Sequence, residues 1–358
     1  MKQSAYLIKP ASSLCNMNCQ YCFYSDVSHQ RQNYSKGIMT KDTVDILIKK
    51  ALKDADEVTF AFQGGEPTVA GLDYFQYFVK KVYELKNHHM IHFVIQTNGY
   101  CLDDKWIVFF KEYDFLVGIS LDGYQEIHDK VRQKGQQPTF GKIIRHIKKI
   151  QEKHVDYNIL TVVTSQMVLH VKDIYEYYKK QGFHYIQFIP CLPELDGSTN
   201  DYYLTPQQFY TFYHQLFPLW YEDLKKGQYM SISFFEDLLM MFQGQYPRTC
   251  GMLGNCHIQL VIEGDGSVYP CDFYALDQYC LGNINVHTID ELRQSLQGQL
   301  FLKEEKRYSQ LCQQCQFKNI CHGQCKRMNI AYFDNDYCGY QEFLKETYQI
   351  FYQIGQEK

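Results

Sequence analysis

Three closely spaced cysteines near the N-terminus are the residues best suited to chemistry. Cys15, Cys19 and Cys22 are separated by three and then two residues. Thiolates at this spacing can converge on one metal centre, and four of them complete a [4Fe–4S] cluster. The next cysteine is Cys101, so we expect one iron to stay open to a small molecule. The alternatives are three buried thiols or a zinc site, with His29 as a possible fourth ligand.

A second, larger group of cysteines lies in the C-terminal third of the chain. Its eight members are Cys250, Cys256, Cys271, Cys312, Cys315, Cys321, Cys325 and Cys338. Eight thiolates make two sets of four, which predicts two further metal centres. Spacing alone would group Cys325 with Cys321, and a Cys-x2-Cys pattern cannot distinguish zinc from an iron–sulfur cluster.

Charge and composition exclude several classes of protein. The 358 residues include 36 basic and 40 acidic side chains, a net charge of −4, whereas a general nucleic-acid or membrane-surface binder carries a basic excess. We find neither a signal peptide nor the apolar run of ~18 residues that a transmembrane helix needs. Fourteen cysteines in a long chain without a signal favour a reducing compartment, so we expect a cytoplasmic protein.

The first half of the chain alternates between strand and helix patterns. Strands are predicted at residues 5–12, 58–62, 91–95, 115–119, 157–163 and 185–189. Such alternation predicts parallel strands with helices outside them, and polar residues follow several strands at the end where ligands bind. Six units are too few for a closed eight-unit barrel, so we expect an α/β fold, an open (β/α)6 partial barrel. The predicted domains are a barrel over residues 1–230, a linker over 231–249, and a cysteine-rich α+β domain over 250–358.

The cysteine trio after the first strand of a βα repeat resembles the radical S-adenosylmethionine (SAM) superfamily. Tyr21 before Cys22 and Phe23-Tyr24 after it fit that pattern. In the superfamily the open iron is chelated by SAM, and one electron from the cluster cleaves SAM to a 5′-deoxyadenosyl radical that abstracts a substrate hydrogen. The residues that the resemblance implies for SAM binding are Tyr24, Gln63, Gly64, Gly65, Glu66, Ser120, Arg132 and Leu192.

Within that set, the resemblance implies that Glu66 meets the amino group of SAM and that Ser120 and Arg132 meet its carboxylate. Tyr24 and Leu192 would flank the adenine. Structural roles are the alternatives. Gly-Gly-Glu also suits a strand-to-helix turn, and Arg132 could be an ordinary surface arginine.

The C-terminal cysteine spacing resembles the twin-cluster extension called the SPASM domain. By that likeness, Cys250, Cys256, Cys271 and Cys325 hold one auxiliary [4Fe–4S] cluster, and Cys312, Cys315, Cys321 and Cys338 hold the other. The implied cofactors are therefore SAM and three [4Fe–4S] clusters, of which one binds SAM.

Three segments together resemble the anaerobic sulfatase-maturating enzymes: residues 60–68, 250–256 and 266–274. That family oxidises a cysteine or serine in an unfolded sulfatase segment to Cα-formylglycine. The resemblance implies that Asp272 is the general base. Gln96 and Asn98 would bind the extended peptide, unless they only form a turn. The implied partners are a Cys/Ser-x-Pro-x-Arg segment and reduced flavodoxin or ferredoxin as electron donor.

Two other functions stay open at this point. A SPASM peptide maturase would form a thioether or carbon–carbon crosslink in a ribosomal precursor peptide. Such enzymes typically carry a leader-recognition domain, which we do not expect here because the barrel begins by residue 5. A zinc-binding adaptor without catalysis would be colourless and hold about two zinc ions per chain.

Overall fold

The structure is a computed structural model that describes residues 1–356. Its strands are β1 (Gln3–Ile8), β2 (Asn18–Cys19), β3 (Glu57–Phe62), β4 (Met90–Thr97), β5 (Phe115–Ser120), β6 (Arg132–Lys134), β7 (Gln137–Pro138), β8 (Tyr157–Val163), β9 (Tyr185–Pro190), β10 (Ser231–Ile232), β11 (Val261–Ile262), β12 (Ser267–Tyr269) and β13 (Gly282–Asn283). Its α-helices are α1 (Phe23–His29), α2 (Lys41–Asp54), α3 (Leu72–Leu85), α4 (Asp104–Glu112), α5 (Gln125–Val131), α6 (Phe140–Glu152), α7 (Val171–Lys180), α8 (Pro206–Lys225), α9 (Ser233–Phe242), α10 (Ile289–Arg293), α11 (Leu296–Lys303), α12 (Lys318–Cys321) and α13 (Gly339–Gln356).

The chain divides into two compact units. Unit one comprises residues 1–120, 129–157 and 257–304. Unit two comprises residues 121–128 and 158–256 and the described residues from 305 onward. Each unit combines separate stretches of sequence, and the domain boundaries given above stay a prediction.

Unit one is built on a parallel sheet. β3 pairs with β1 on one side, with Tyr6 opposite Phe60, and with β4 on the other, with Phe60 opposite Phe93. β5 pairs in parallel with β4. On its second edge β1 pairs in parallel with β11, which returns through a hairpin to β12. The pairing of β1 with β11 therefore brings residues beyond 260 beside the N-terminal strand.

Local sequence signals account for the elements of unit one. Thr40 caps α2 by accepting a hydrogen bond from the Thr43 backbone N–H. Buried residues at helical spacing, including Val44, Leu47 and Ile48, give α2 one apolar face. In the hairpin, Gly266 has a φ of +84°, a conformation that glycine adopts without steric cost.

Unit two contains the parallel strands β8, β9 and β10. The aromatic-rich helix α8 begins with a capping box at Thr205 and Gln208. Phe217 of α8 packs against Phe235 of α9 and Phe343 of α13, with ring centroids 5.6 and 5.9 Å away. These aromatic contacts form the core of the unit.

The predicted strands agree with the structure to within two residues at each end, except the first. That strand was expected over residues 5–12 but spans Gln3–Ile8. It ends early because Pro10 has no N–H to donate and a turn follows, in which the Ser12 N–H donates to the Lys9 carbonyl. Among residues 1–356 there is no helix with both the length and the apolarity to cross a membrane.

Candidate active site and cluster-binding loops

The cysteine trio lies in unit one on the loop that joins β1 to α1. Cys19 is in the short strand β2, and Cys22 immediately precedes α1. The pKa of the Cys15 thiol is raised to about 11, chiefly by burial and also by the negative charges of Glu66 and Cys22. Thiolates that disfavour one another need a cation to hold them together, and metal coordination deprotonates a thiol outright. The loop therefore suits an iron–sulfur centre.

The two glycines of the Gln63-Gly64-Gly65-Glu66 turn allow it to pack against the cysteine loop. A Cβ on Gly65 would lie 2.4 Å from the Leu14 carbonyl oxygen, and one on Gly64 would lie 2.8 Å from that of Ser12. The Gly65 N–H donates to the Ser12 carbonyl at 2.9 Å. No side chain fits at either glycine without displacing backbone, so the two loops form one packed layer.

Glu66 lies buried at the end of β3, where four hydrogen bonds hold its carboxylate. Oε1 accepts from the Thr68 N–H at 3.0 Å, the Thr68 hydroxyl at 2.6 Å and the Thr97 hydroxyl at 2.7 Å. Oε2 accepts from the Asn98 N–H at 2.7 Å. Burial raises the pKa of Glu66, and these hydrogen bonds oppose the rise. The sequence reasoning did not identify Thr68 or Thr97, whose only signal is their position just after the Gly-Gly-Glu turn and at the end of β4.

Asp272 is the centre of a polar cluster in unit one. Its Oδ2 accepts hydrogen bonds from the Tyr24 hydroxyl at 2.7 Å and the Gln63 amide at 3.0 Å. Its Oδ1 lies 2.8 Å from the Lys9 ammonium. Burial and the Asp272 carboxylate raise the pKa of Tyr24 well above its ordinary value. Tyr24 and Gln63, two residues predicted to bind SAM, thus donate hydrogen bonds to the predicted base.

Lys9 is part of a buried chain of charges that sequence reasoning missed. Lys9 is 1% exposed, and its Nζ also lies 3.4 Å from Oε1 of Glu263, which is 0% exposed. Arg31 Nη2 lies 2.8 Å from the same Glu263 oxygen. Burial raises the pKa of Glu263, but Lys9 and Arg31 outweigh it and hold that pKa below its ordinary value. The sequence signals for this cluster were the positions of Lys9, at the end of an apolar strand, and of Glu263, at the start of the hairpin turn.

The other predicted residues of unit one lie around the cysteine loop or at strand ends. The Asn98 side-chain amide donates to the side-chain oxygen Oδ1 of Asn16 at 2.8 Å and lies 3.8 Å from the Cys15 sulfur. Arg132 pairs through its backbone with Cys19, and its guanidinium donates to the Tyr21 hydroxyl at 2.8 Å. Gln96 donates to the Ser120 hydroxyl at 3.3 Å. Leu192 follows β9 in unit two and is half-buried. The roles of all these residues stay predictions.

Two family models match the chain. Residues 10–180 match the radical SAM superfamily, and residues 250–316 match the iron–sulfur cluster-binding SPASM domain. A cysteine-type anaerobic sulfatase-maturating enzyme of Clostridium novyi is 42% identical over 94% of this chain and 91% of its own. The chain belongs to the anaerobic sulfatase-maturating enzyme family.

Other members are similar over nearly the whole chain. A serine-type anaerobic sulfatase-maturating enzyme of Bacteroides thetaiotaomicron is 29% identical over 98% of this chain and 89% of its own. A solved structure of native anSMEcpe with bound AdoMet and Kp18Cys peptide matches with a TM-score of 0.91 and 37% identity, over 99% of this chain and 100% of that one. These matches confirm the predicted fold class and a radical SAM enzyme.

Four of the SPASM-region cysteines come together in unit two. Cys312, Cys315, Cys321 and Cys338 all line one small cavity, with Phe317, Phe333 and Tyr340 beside them. The pKa of Cys338 is raised to about 12, chiefly by burial and also by the negative charges of Cys321, Cys312 and Cys315. This is the set of four that the resemblance to the SPASM domain implies, and its donor chemistry fits an iron–sulfur cluster.

The other set has three of its cysteines in unit two and one in unit one. The pKa of Cys250 is raised to about 11, chiefly by burial and also by the negative charges of Cys325 and Cys256. Gly251 has a φ of +85°, and a Cβ there would lie 2.5 Å from the Cys325 Cβ, so this loop needs glycine. Cys271 follows β12 in unit one and directly precedes Asp272.

No group of three or more His, Cys, Asp or Glu side chains within residues 1–356 is close enough to hold a single metal ion. In a cubane cluster each thiolate binds a different iron. The ligands of a cluster therefore stand farther apart than those of one ion.

Proposed function

We propose that this chain oxidises a cysteine residue of an unfolded sulfatase segment to Cα-formylglycine by radical SAM chemistry. The observation that carries the proposal is the position of Asp272. Gln63, which directly precedes the Gly-Gly-Glu sequence, donates to its carboxylate at 3.0 Å, so a carboxylate lies beside the turn predicted to bind SAM. Similarity to the cysteine-type relative exceeds that to the serine-type relative, 42% against 29% identity, and this favours cysteine.

Asp272 would take the proton from the substrate sulfur. Loss of a hydrogen atom from Cβ, a proton from sulfur and one electron leaves a thioaldehyde, which water converts to the aldehyde with release of hydrogen sulfide. When bound, SAM and its cluster supply the radical that removes the hydrogen atom, and the auxiliary clusters supply an electron acceptor. Tyr24, Gln63 and Lys9 fix the direction of the carboxylate, and a fixed base makes proton transfer efficient.

Three [4Fe–4S] clusters are part of the proposal. Their ligands would be Cys15, Cys19 and Cys22; Cys250, Cys256, Cys271 and Cys325; and Cys312, Cys315, Cys321 and Cys338. Glu66, Ser120, Arg132 and Leu192 would contact SAM, and Gln96 and Asn98 the peptide. The client segment would read Cys-x-Pro-x-Arg. The electron donor would be reduced flavodoxin or ferredoxin, and the enzyme would act in the cytoplasm.

The test is an anaerobic assay with two peptides that differ only in Cys or Ser at the target position. The reconstituted enzyme should hold about twelve irons per chain and convert the cysteine peptide to an aldehyde, detected by mass loss and hydrazide capture. The serine peptide should react more slowly. A zinc-containing, colourless protein would refute the proposal. So would a crosslinked product without aldehyde, which would indicate a peptide maturase of the crosslinking kind.

A further inference from the structure

Residues 129–153 carry a concentration of positive charge of which the proposed reaction uses only Arg132. They include eight of the 36 lysines and arginines but only two of the 40 acidic residues, in a chain whose net charge is −4. Part of this charge forms a stripe on α6, because Lys142, Arg145, Lys149 and Lys153 follow one another at helical spacing. We call these four residues, together with Lys134 of β6, the basic face.

Two sets of non-covalent contacts within unit one connect the basic face to the cysteine loop. The first is the sheet of β2 and β6, in which Asn18 lies opposite Gln133 and Cys19 opposite Arg132. The Gln20 N–H extends it by donating to the Val131 carbonyl at 2.9 Å. Lys134 is therefore two residues from the backbone partner of a predicted cluster ligand.

The second set passes through Tyr100. The ammonium groups of Lys142 and Lys134 lie 3.9 and 4.8 Å from the centre of its ring, close enough for cation–π attraction. The Tyr100 N–H donates to the Asn98 side chain at 2.9 Å, and Asn98 contacts Asn16 and Cys15 as described above. Two cations thus lie over the ring of Tyr100, which is two residues from Asn98, the residue whose side chain contacts the loop.

Opposing charges near the basic face are few. Lys149 forms an ion pair with Asp104 of α4 at 2.6 Å. Asp103 caps α4, Asp129 accepts hydrogen bonds from the backbone N–H groups of Thr139 and Phe140 at the start of α6, and Glu152 is the one acidic residue of α6. Lys134, Arg145 and Lys153 are exposed, and Lys142 is half-exposed. The face therefore keeps a net positive charge at the surface, beside exposed loop residues Asn18 and Gln20.

We propose that the basic face docks an acidic, one-electron carrier protein of low potential that reduces the cluster held by Cys15, Cys19 and Cys22. The inference rests on the proposed function, because SAM cleavage requires one electron to enter at that cluster. In the transfer the carrier is oxidised by one electron and the cluster is reduced by one, with no bond formed or broken. A positive patch beside the acceptor steers an acidic partner to the correct side of the enzyme and raises its association rate.

The test uses charge reversal with a matched control. Lys142→Glu/Arg145→Glu changes the net charge by the same amount as Lys49→Glu/Lys53→Glu, whose lysines are exposed on α2 of the same unit. Reduced flavodoxin of acidic composition is the probe. Its Kd for the reconstituted enzyme, measured by titration calorimetry at low salt, should rise about tenfold or more in the first variant and less than about twofold in the control. Wild-type affinity should fall as salt rises.

A second arm separates this inference from the proposed function. Dithionite is a small reductant that needs no docking surface, so with it both variants should cleave SAM and form aldehyde at the wild-type rate. If the wild-type enzyme with dithionite neither cleaves SAM nor forms aldehyde, the proposed function is refuted. Equal flavodoxin affinity in the two variants overturns the docking proposal. A raised KM for the substrate peptide in Lys142→Glu/Arg145→Glu, with unchanged flavodoxin affinity, would also overturn it and assign the face to the client protein.

Discussion

Replacing Lys9 with methionine should destabilise the protein strongly, because this lysine is the buried cation between two carboxylates. Its Nζ lies 2.8 Å from Asp272 and 3.4 Å from Glu263. At an effective dielectric constant of about 20, these distances correspond to roughly 6 and 5 kcal/mol of gross attraction, much of which offsets the desolvation of the ions. Methionine leaves Asp272 without its cation, whereas Glu263 keeps the guanidinium of Arg31. Removing one partner of a buried pair costs about 3–5 kcal/mol.

Scanning calorimetry of the reconstituted enzyme under anaerobic conditions measures this loss. At about 2–4 °C per kcal/mol for a unit of roughly 150–250 residues, Tm should fall by roughly 6 °C or more. Lys2→Met is the matched control, because Lys2 forms an ion pair with Asp54 at 2.7 Å but its side chain is 56% exposed. An exposed pair contributes about 0–1 kcal/mol, so the control should lose less than about 4 °C.

A double variant tests whether charge balance is the cause. Lys9→Met/Asp272→Asn leaves one carboxylate, Glu263, for the one guanidinium of Arg31, so its Tm should exceed that of Lys9→Met alone. If the Tm of Lys9→Met falls by no more than that of Lys2→Met, or if the double variant has a lower Tm than Lys9→Met, charge compensation does not stabilise this network and the reasoning is refuted.

Three other substitutions have distinct expected outcomes. Asp272→Asn should leave SAM cleavage intact and slow aldehyde formation by about 10²–10⁴-fold; an unchanged ratio of 5′-deoxyadenosine to formylglycine would exclude it as the base. Gly65→Ala should lower the iron content after reconstitution, because its Cβ would lie 2.4 Å from backbone oxygen, whereas in the control Gly141→Ala the Cβ meets only a side chain at 3.8 Å; equal iron content in both would contradict the packing argument. Burial alone would raise the pKa of Asp54, but hydrogen bonds from Arg293 and Lys2 hold that pKa below its ordinary value. The stability that this lowered pKa contributes is present when the pH is above the pKa of an aspartate in the unfolded chain, about 3.9. It is lost as the pH falls through the pKa of Asp54 in the folded protein. Tm should therefore drop on acidification below about pH 5, and less so in Asp54→Asn; parallel curves for the two proteins would rule this out.

Features encoded by neighbouring residues were predictable from the sequence. The hairpin around Gly266, the cap at Thr40 and the cysteine trio all depend on spacings of a few residues, which a sequence displays directly. The end of β1 at Ile8 was missed, although Pro10 was a visible signal.

The charge chain of Lys9, Arg31, Glu263 and Asp272 was not predictable in the same way. Its members come from residues 9–31 and 263–272. They meet only because β1 pairs with β11, a non-local contact that sequence periodicity does not predict. Tyr24 and Gln63 were identified as site residues, but their contact with Asp272 depends on the same pairing. Burial of four charges together is a property of the fold, and composition does not reveal it.

The pairing of β1 with β11 also affects the order in which the protein can be completed on the ribosome. Residues 9 and 263 are separated by most of the polypeptide, and at ~5–20 residues per second roughly 13–50 s pass between their synthesis. During that time β1 has one edge without its native neighbour, and Lys9 has neither of its carboxylate partners. Contacts so distant in sequence also slow folding after release. The cysteine loop is thus translated early, but Asp272, the proposed base, is translated about 250 residues after Cys22.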